Sequence, residues 1–291
     1  MTTPTRHVLP LALARATRAG ALGVAVLAAA GAGCAATAEG AVVTTPPPVE
    51  PVGPGAPVLG VFAGESMTFE VTVGGLLAGE GAFSVGDVTE VDGRRLIAVR
   101  SRLATAGAAA LLKRVEDDAT TTLDAGTGHP VQLDTDVTFG DKRYQASAAF
   151  AGGKVAVRWH KVGEDVERKV GFDFGDAIAH DSHSAMAALR MWRAPAGTRQ
   201  TVWVVGGRRL WRSDLTLVGT ETLTTRVGNR AAVRLDGVAY RAKPDLSLEP
   251  GRKPRTFTVW LSDDADRVPL RVSAGTELGD VVIELTDYQR P

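Results

Sequence analysis

The chain has 291 residues, 33 of them basic and 33 acidic, with 44% hydrophobic and 5% aromatic residues. A balanced charge with no basic stripe carrying interleaved aromatics excludes a nucleic-acid-binding surface, and a single cysteine excludes any internal disulfide. Stability must therefore rest on an apolar core, and the roughly 230 residues beyond the N-terminal segments are enough for one sizeable all-β domain.

Arg6, Arg15 and Arg18 precede the apolar run Leu22 to Cys34, LGVAVLAAAGAGC, and no acidic residue stands before Glu39. A basic stretch followed by about a dozen apolar residues is the pattern of a secretory signal. It is too short for a permanent transmembrane helix, which needs roughly twenty. Gly31, Ala32 and Gly33 lead into Cys34, and this resembles the lipobox of bacterial lipoproteins, although Gly31 stands where a large aliphatic residue is usual. The alternative is an ordinary signal cut after an Ala-x-Ala-like site at Ala30 to Ala32, which leaves an unpaired thiol without explanation. The lipobox resemblance implies a diacylglyceryl group on Cys34, and so a partner in the membrane itself, since each buried methylene contributes about 0.8 kcal/mol. Ala35 follows, where an aspartate would in many Gram-negative bacteria signal retention at the inner membrane, so the expected address is the outer membrane facing the periplasm. Without residues 1–33 the chain keeps 30 basic against 33 acidic residues, a balance near −3.

From Ala35 to Leu59 six prolines (Pro46, Pro47, Pro48, Pro51, Pro54 and Pro57) are set among Ala, Val, Thr and Gly. Such a run forms neither ladder nor helix and reads as an extended tether. The organisation is thus a signal peptide over 1–33, a lipidated cysteine and tether over 34–59, and one β-rich domain over 60–291.

Within that domain Ser66 to Val73 alternates strictly, with Met67, Phe69, Val71 and Val73 on one face, which predicts a half-buried strand. Gly74-Gly75 suits a tight hairpin. Further strands are predicted over Leu76 to Val88, Arg94 to Leu103, Arg114 to Leu123, Val131 to Phe139, Lys142 to Phe150 and Lys154 to Lys161. After a helical segment they resume over Arg199 to Val205, Arg209 to Val218, Glu221 to Arg226, Arg230 to Tyr240, Arg255 to Leu261, Arg267 to Ala274 and Gly279 to Tyr288. Turn signals every eight to twelve residues mark a barrel or sandwich. Two short helices are predicted, Thr105 to Leu112 and Asp181 to Trp192. The second has Asp181 or Ser182 as N-cap, Ala185, Leu189 and Trp192 on one side, and Pro195 and Gly197 to stop it. The fold class expected is mainly β: a curved antiparallel meander forming an open barrel or sandwich, with these helices packed against it.

Four segments in this order resemble the bacterial family known as domain of unknown function 3108. They are Gly64-Glu65-Ser66-Met67-Thr68-Phe69-Glu70-Val71 with Gly75 to Gly79, the stretch Thr122 to Pro130, the helix Asp181 to Arg190, and Val259-Trp260-Leu261-Ser262-Asp263-Asp264 with Val268-Pro269-Leu270. His183 departs from the pattern, standing in a usually apolar place. The resemblance implies a secreted or lipid-anchored envelope protein, rich in β structure, with no established activity.

The chemistry-bearing candidates are few. His180-Asp181-Ser182-His183-Ser184 offers two imidazoles and a carboxylate for zinc, or a serine beside His183 and an acid. No third ligand spacing and no Gly-x-Ser-x-Gly elbow accompanies it, so a capped helix accounts for the same residues; Asp181, His183 and Ser184 stand as the candidate site. Asp263, Asp264 and Asp266 lack the glycine and glutamate positions of a calcium loop, and read as a hairpin turn. His129 and His160 read as surface or packing residues. Trp159, Trp192, Trp203, Trp211 and Trp260 are candidate lining for a lipid cavity, and equally serve as core. No cofactor, metal site or catalytic residue is expected. The leading expectation is a non-enzymatic lipoprotein with a lipid-like ligand, then a structural partner in an envelope assembly complex, and last a hydrolase.

Overall fold

The computed structural model describes residues 60–290 apart from 227, 277 and 278. The signal-like run, Cys34 and the proline-rich tether lie outside the described residues. The alternating segments pair, nearly all in sequence order, into one fifteen-stranded sheet ordered β8-β7-β6-β5-β4-β3-β2-β1-β15-β14-β13-β12-β11-β10-β9. The strands are β1 (Ser66–Val73), β2 (Leu76–Val91), β3 (Arg94–Thr105), β4 (Val115–Asp124), β5 (Pro130–Phe139), β6 (Lys142–Ala151), β7 (Lys154–Lys161) and β8 (Arg168–Asp173) in the first half. The second half supplies β9 (Ala179–His180), β10 (Arg199–Gly206), β11 (Arg209–Thr225), β12 (Gly228–Ala242), β13 (Arg255–Ser262), β14 (Pro269–Thr276) and β15 (Gly279–Gln289). The first and last strands pair with each other in the middle of the sheet, antiparallel. Among the described residues only the β9–β10 pair is parallel.

This is the open, curved, mainly antiparallel sheet expected, with three local corrections. The two strands predicted over 209–226 are one, β11, with a register shift at Gly219, whose φ of +140° a side chain would resist. Strands β8 and β9 add to the sheet; β8 is short and charged at Arg168, Lys169 and Asp173, so only Val170 and Phe172 signal it. The first helix, α1, is confined to Gly107–Leu112.

The second helix, α2 (Ser182–Met191), decides how the sheet curves. Ala185 and Leu189 pack with Trp211, Leu215, Val233 and Leu261 of the second half. Ala187, on another side of the same helix, packs with Val85, Ile97, Val99 and Leu123 of the first half. A single sheet can touch a helix from both sides only if it rolls around it. Further along the roll, Leu133, Val155, Val157 and Phe172 meet Val205 and Leu210, and the rings of Phe174 and Trp203 lie 5.9 Å apart. The edge strands β8 and β9 are not hydrogen-bonded to one another, so the sheet stays open. Fully buried leucines such as Leu189, Leu215, Leu235 and Leu261 contribute roughly 1.5–3 kcal/mol each.

The chain enters β1 as a strap across α2. Gly60 has a φ of +85°, and a Cβ there would fall 2.0 Å from the carbonyl oxygen of Ala187. Glycine is therefore required both by the left-handed backbone and by the close approach.

Candidate functional site

Helix α2 is pinned at its N-terminus by a polar network. Asp181 is the N-cap: its Oδ1 accepts from the Ser184 amide at 2.9 Å and from Ser184 Oγ at 2.6 Å, while the Asp181 amide donates to Ser184 Oγ at 3.0 Å. The capping box satisfies donors that a helix start would otherwise leave open. The other carboxylate oxygen accepts the hydroxyl of Thr121 on β4.

That bond fixes everything beyond it. With its one proton given to Asp181, Thr121 Oγ1 must accept from His183 Nδ1, which lies 2.7 Å away. The protonated nitrogen of His183 is therefore Nδ1, and Nε2 accepts from Ser101 Oγ on β3 at 2.8 Å. The result is a directed chain, Ser101 to His183 to Thr121 to Asp181. His183 is buried, with Phe83 set edge-on at 5.9 Å, and burial holds its pKa below the ordinary value although Asp181 pulls it up. Burial thus favours the neutral imidazole.

A second buried network pins the other end. Arg190 forks onto Glu65, Nη1 to Oε1 at 2.7 Å and Nη2 to Oε2 at 3.1 Å, with both side chains essentially inaccessible. Arg190 Nε also donates to the carbonyl of Asp266 at 3.2 Å, the Phe62 amide donates to Glu65 Oε1 at 3.2 Å, and Tyr288 Oη donates to Glu65 Oε2 at 3.4 Å. Burial and the Glu65 carboxylate push the Tyr288 hydroxyl up to about 12. The strap, α2, the 263–267 turn and β15 thus meet at one ion pair.

Between the two networks lies a cavity of about 120 Å³, walled by Met67, Phe69, Phe83, Leu103, Met186 and Ile283. Ser101, Asp117, Ser182, His183 and Arg190 supply its polar lining. Asp117 sits on the inward face of β4, where Val115, Ala119, Thr121 and Leu123 alternate with outward residues. It is 3% exposed, and burial, reinforced by Asp118 and Asp136, pushes its carboxyl up to about 7. A larger hollow of about 430 Å³ lies over the outer face of β6 to β8, among Ser147, Ala149, Ala156, Lys169 and Gly171; it is open and holds no buried ionisable group.

Of the residues singled out in the sequence, the structure brings Asp181, His183 and Ser184 together, but Ser184 serves the cap and its hydroxyl is not bonded to His183. The serine that His183 does engage, Ser101, lies 82 residues away. His180 sits on β9, its Nδ1 without a hydrogen-bond partner, and burial pushes it down to about 4. None of the five tryptophans lines the cavity. Trp203 meets Phe174 at a tilt of 56°, Trp159 lies under Arg168 and Arg208, Trp192 and Trp211 pack around α2, and Trp260 Nε1 donates to Glu221 at 2.6 Å. Asp264 closes the turn before β14, accepting from the amides of Asp266 and Arg267, each at 3.0 Å. Among the described residues no cluster of three metal-ligating side chains occurs, and no helix is long and apolar enough to cross a membrane.

The family model described as protein of unknown function (DUF3108) matches residues 68–286. No curated protein is significantly similar in sequence. Among solved structures, a beta-barrel-like protein of domain of unknown function DUF1849 from Brucella abortus superposes with a TM-score of 0.54 at 9% identity, covering 79% of this chain and 98% of that one. The likeness is one of fold alone. A candidate exported protein with a YmcC-like fold from Bacteroides fragilis (TM-score 0.35, 9% identity, 78% and 96% coverage) and a candidate lipoprotein from Parabacteroides distasonis (0.32, 8%, 78% and 95%) are more distant.

Proposed function

Because the chain belongs to the DUF3108 family of unknown function, we propose that it is an envelope lipoprotein whose rolled sheet holds an apolar or lipid-like ligand beneath α2 without acting on it chemically. It is anchored through Cys34, at the outer membrane and facing the periplasm, with the proline-rich segment as tether. The observation that carries the binding reading is the apolar cavity alongside α2: protein interiors pack at close to crystal density, so a void with a mostly apolar wall is a place for a guest. Its size sets the guest. A dry cavity of roughly 150 Å³ takes a benzene-sized molecule, so about 120 Å³ takes the end of an acyl chain or a comparable group, with the rest of a longer ligand outside.

Native mass spectrometry of the exported chain, never exposed to detergent, tests this. A reproducible bound mass in the lipid range is the expected outcome; a clean apo mass together with no binding of short alkyl probes refutes it. Loss of membrane association and of the lipid mass in a Cys34→Ser chain tests the anchor.

A second reading, a structural partner in an envelope assembly complex, draws on the outer edge of β8, which among the described residues has no neighbouring strand. Such an edge can receive a strand from another protein. In-cell crosslinking from β8 positions that captures no reproducible envelope protein removes it.

A further inference from the structure

We infer that the ligand of this cavity carries a hydrogen-bond-donating head, a hydroxyl or an amine, and is not a free carboxylate. The inference rests on the reading of the cavity as a ligand site and goes on to its chemistry.

The directed chain at the start of α2 supplies the first argument. Ser101 lines the cavity, and its only hydroxyl proton is committed to His183 Nε2. What Ser101 has left to offer a guest is its oxygen lone pairs. His183 has neither nitrogen to spare, since Nδ1 is held by Thr121 and Nε2 by Ser101. Asp117, next along the same wall, offers only acceptors once ionised, above its value of about 7. Register places these groups together: Ser101 faces Ala119 and Leu103 faces Asp117 across the β3–β4 ladder, all on the inward side. This corner of the cavity therefore presents acceptors, and acceptors select donors.

Charge gives the second argument. Three buried acids surround the cavity region, Glu65, Asp117 and Asp181, against one buried guanidinium, Arg190. That guanidinium is matched by Glu65 through both of its terminal nitrogens and by the Asp266 carbonyl through the third. Arg102, whose residue also borders the cavity, alternates outward with Asp118 and pairs with it at 3.9 Å, both side chains exposed. A carboxylate guest would share Arg190 with Glu65 and stand beside Asp117, where low dielectric strengthens like-charge repulsion. A hydroxyl meets no such opposition, and an ammonium is drawn to Asp117. The carboxyl of Asp117, poised at about 7, is the group whose ionisation an amine would favour.

An isosteric series tests the chemistry apart from the cavity. Hexylamine, 1-hexanol and hexanoate are six-carbon chains that differ at the head, short enough for this volume, and at pH 8 the first is cationic and the last anionic. Each is titrated into the full chain carrying Cys34→Ser and followed by NMR, with nuclear Overhauser contacts to the methyls of Met67 and Met186 locating the tail. The expected result is that hexanol and hexylamine bind at least tenfold more tightly than hexanoate. Asp117→Asn, which keeps the shape, is expected to narrow the hexylamine-to-hexanoate ratio at least tenfold while leaving hexanol within about twofold. Hexanoate binding as tightly as the others, or a hexylamine-to-hexanoate ratio unchanged by Asp117→Asn, overturns the head-group inference and leaves the apolar site standing. Failure of all three to bind overturns the ligand site and this inference with it.

Discussion

Replacing Arg190 by methionine isolates the buried ion pair, because methionine fills much of the space of the arginine stem and removes the charge. In the native structure Glu65 is fully buried and takes two guanidinium bonds, with only the Phe62 amide and the distant Tyr288 hydroxyl as further donors. The variant strands a carboxylate there. Breaking a buried pair from one side costs about 3–5 kcal/mol, and for a domain of this length each kcal/mol moves the midpoint of thermal unfolding by about 2–4 °C, so Tm is expected to fall by roughly 6–20 °C. The second variant decides the cause. Glu65→Leu combined with Arg190→Met leaves no stranded charge, only a Phe62 amide without its acceptor at about 1–3 kcal/mol, so the double variant is expected to recover at least half of the loss. Urea denaturation followed by circular dichroism measures all three chains. A single variant within 1 kcal/mol of the parent, or a double variant no better than the single, refutes the view that desolvated charge governs this joint.

Asp117→Asn reads the buried carboxyl through pH. Its native pKa of about 7 lies above the ordinary 3.8, so between those values the native state keeps a proton the unfolded chain has released, and stability falls as pH rises through the window. The Asn variant is expected to gain on the parent by on the order of a few kcal/mol between pH 4 and pH 8, and a pH-independent difference in urea midpoints contradicts it. His180 works in the opposite sense: its native value of about 4 lies below 6.5, so stability falls as pH falls from 6.5, and the Asn variant should show that slope unmasked. Asp181→Ala removes the cap and leaves Thr121 and the Ser184 amide without their acceptor; it is expected to cost about 2–4 kcal/mol, whereas Asp181→Asn keeps an acceptor oxygen and loses less than half of that in the same denaturation series. Gly60→Ala places a methyl into the carbonyl of Ala187 at a positive φ, so the strap should lift from α2 and become susceptible to limited proteolysis near residue 60; unchanged cleavage counts against the strap's role.

The fold was legible wherever a local period governs. Ser66–Val73 and Lys154–Lys161 form over the residues their alternation marks, and Asp181 with Pro195 brackets α2 because capping and helix termination act within a turn. The predicted break between Val218 and Glu221 falls at Gly219, and a glycine inside a long strand marks a turn as readily as a bulge; only pairing with β12 shows that the strand continues past it. The site was legible in half. Its cap is local. The partners that give it chemistry are not, since Ser101 and Thr121 stand 82 and 62 residues from His183, and Glu65 stands 125 from Arg190. One signal was nevertheless present: alternation along β4 directs Asp117 inward among Val115, Ala119 and Leu123, and the helical period places Arg190 with His183 and Ala187 on a buried face. Charged residues at positions whose period points to the core mark polar joints before any partner is known.

The placement of those joints explains why the cavity exists. Apolar packing tends to close voids, because a side chain slides until its neighbours touch it. Helix α2 has little freedom to slide. Directional bonds hold its first turn to β3 and β4 through Asp181 and His183, and its last turn to the strap and β15 through Arg190 and Glu65. The stretch between is faced by Met186, a flexible side chain that adapts to irregular space. A helix positioned by hydrogen-bond geometry at both ends stands off from the β1 to β3 wall at a distance that its own side chains do not fill, and the space left there is lined by the same Ser101 and Asp117 that give it a polar corner.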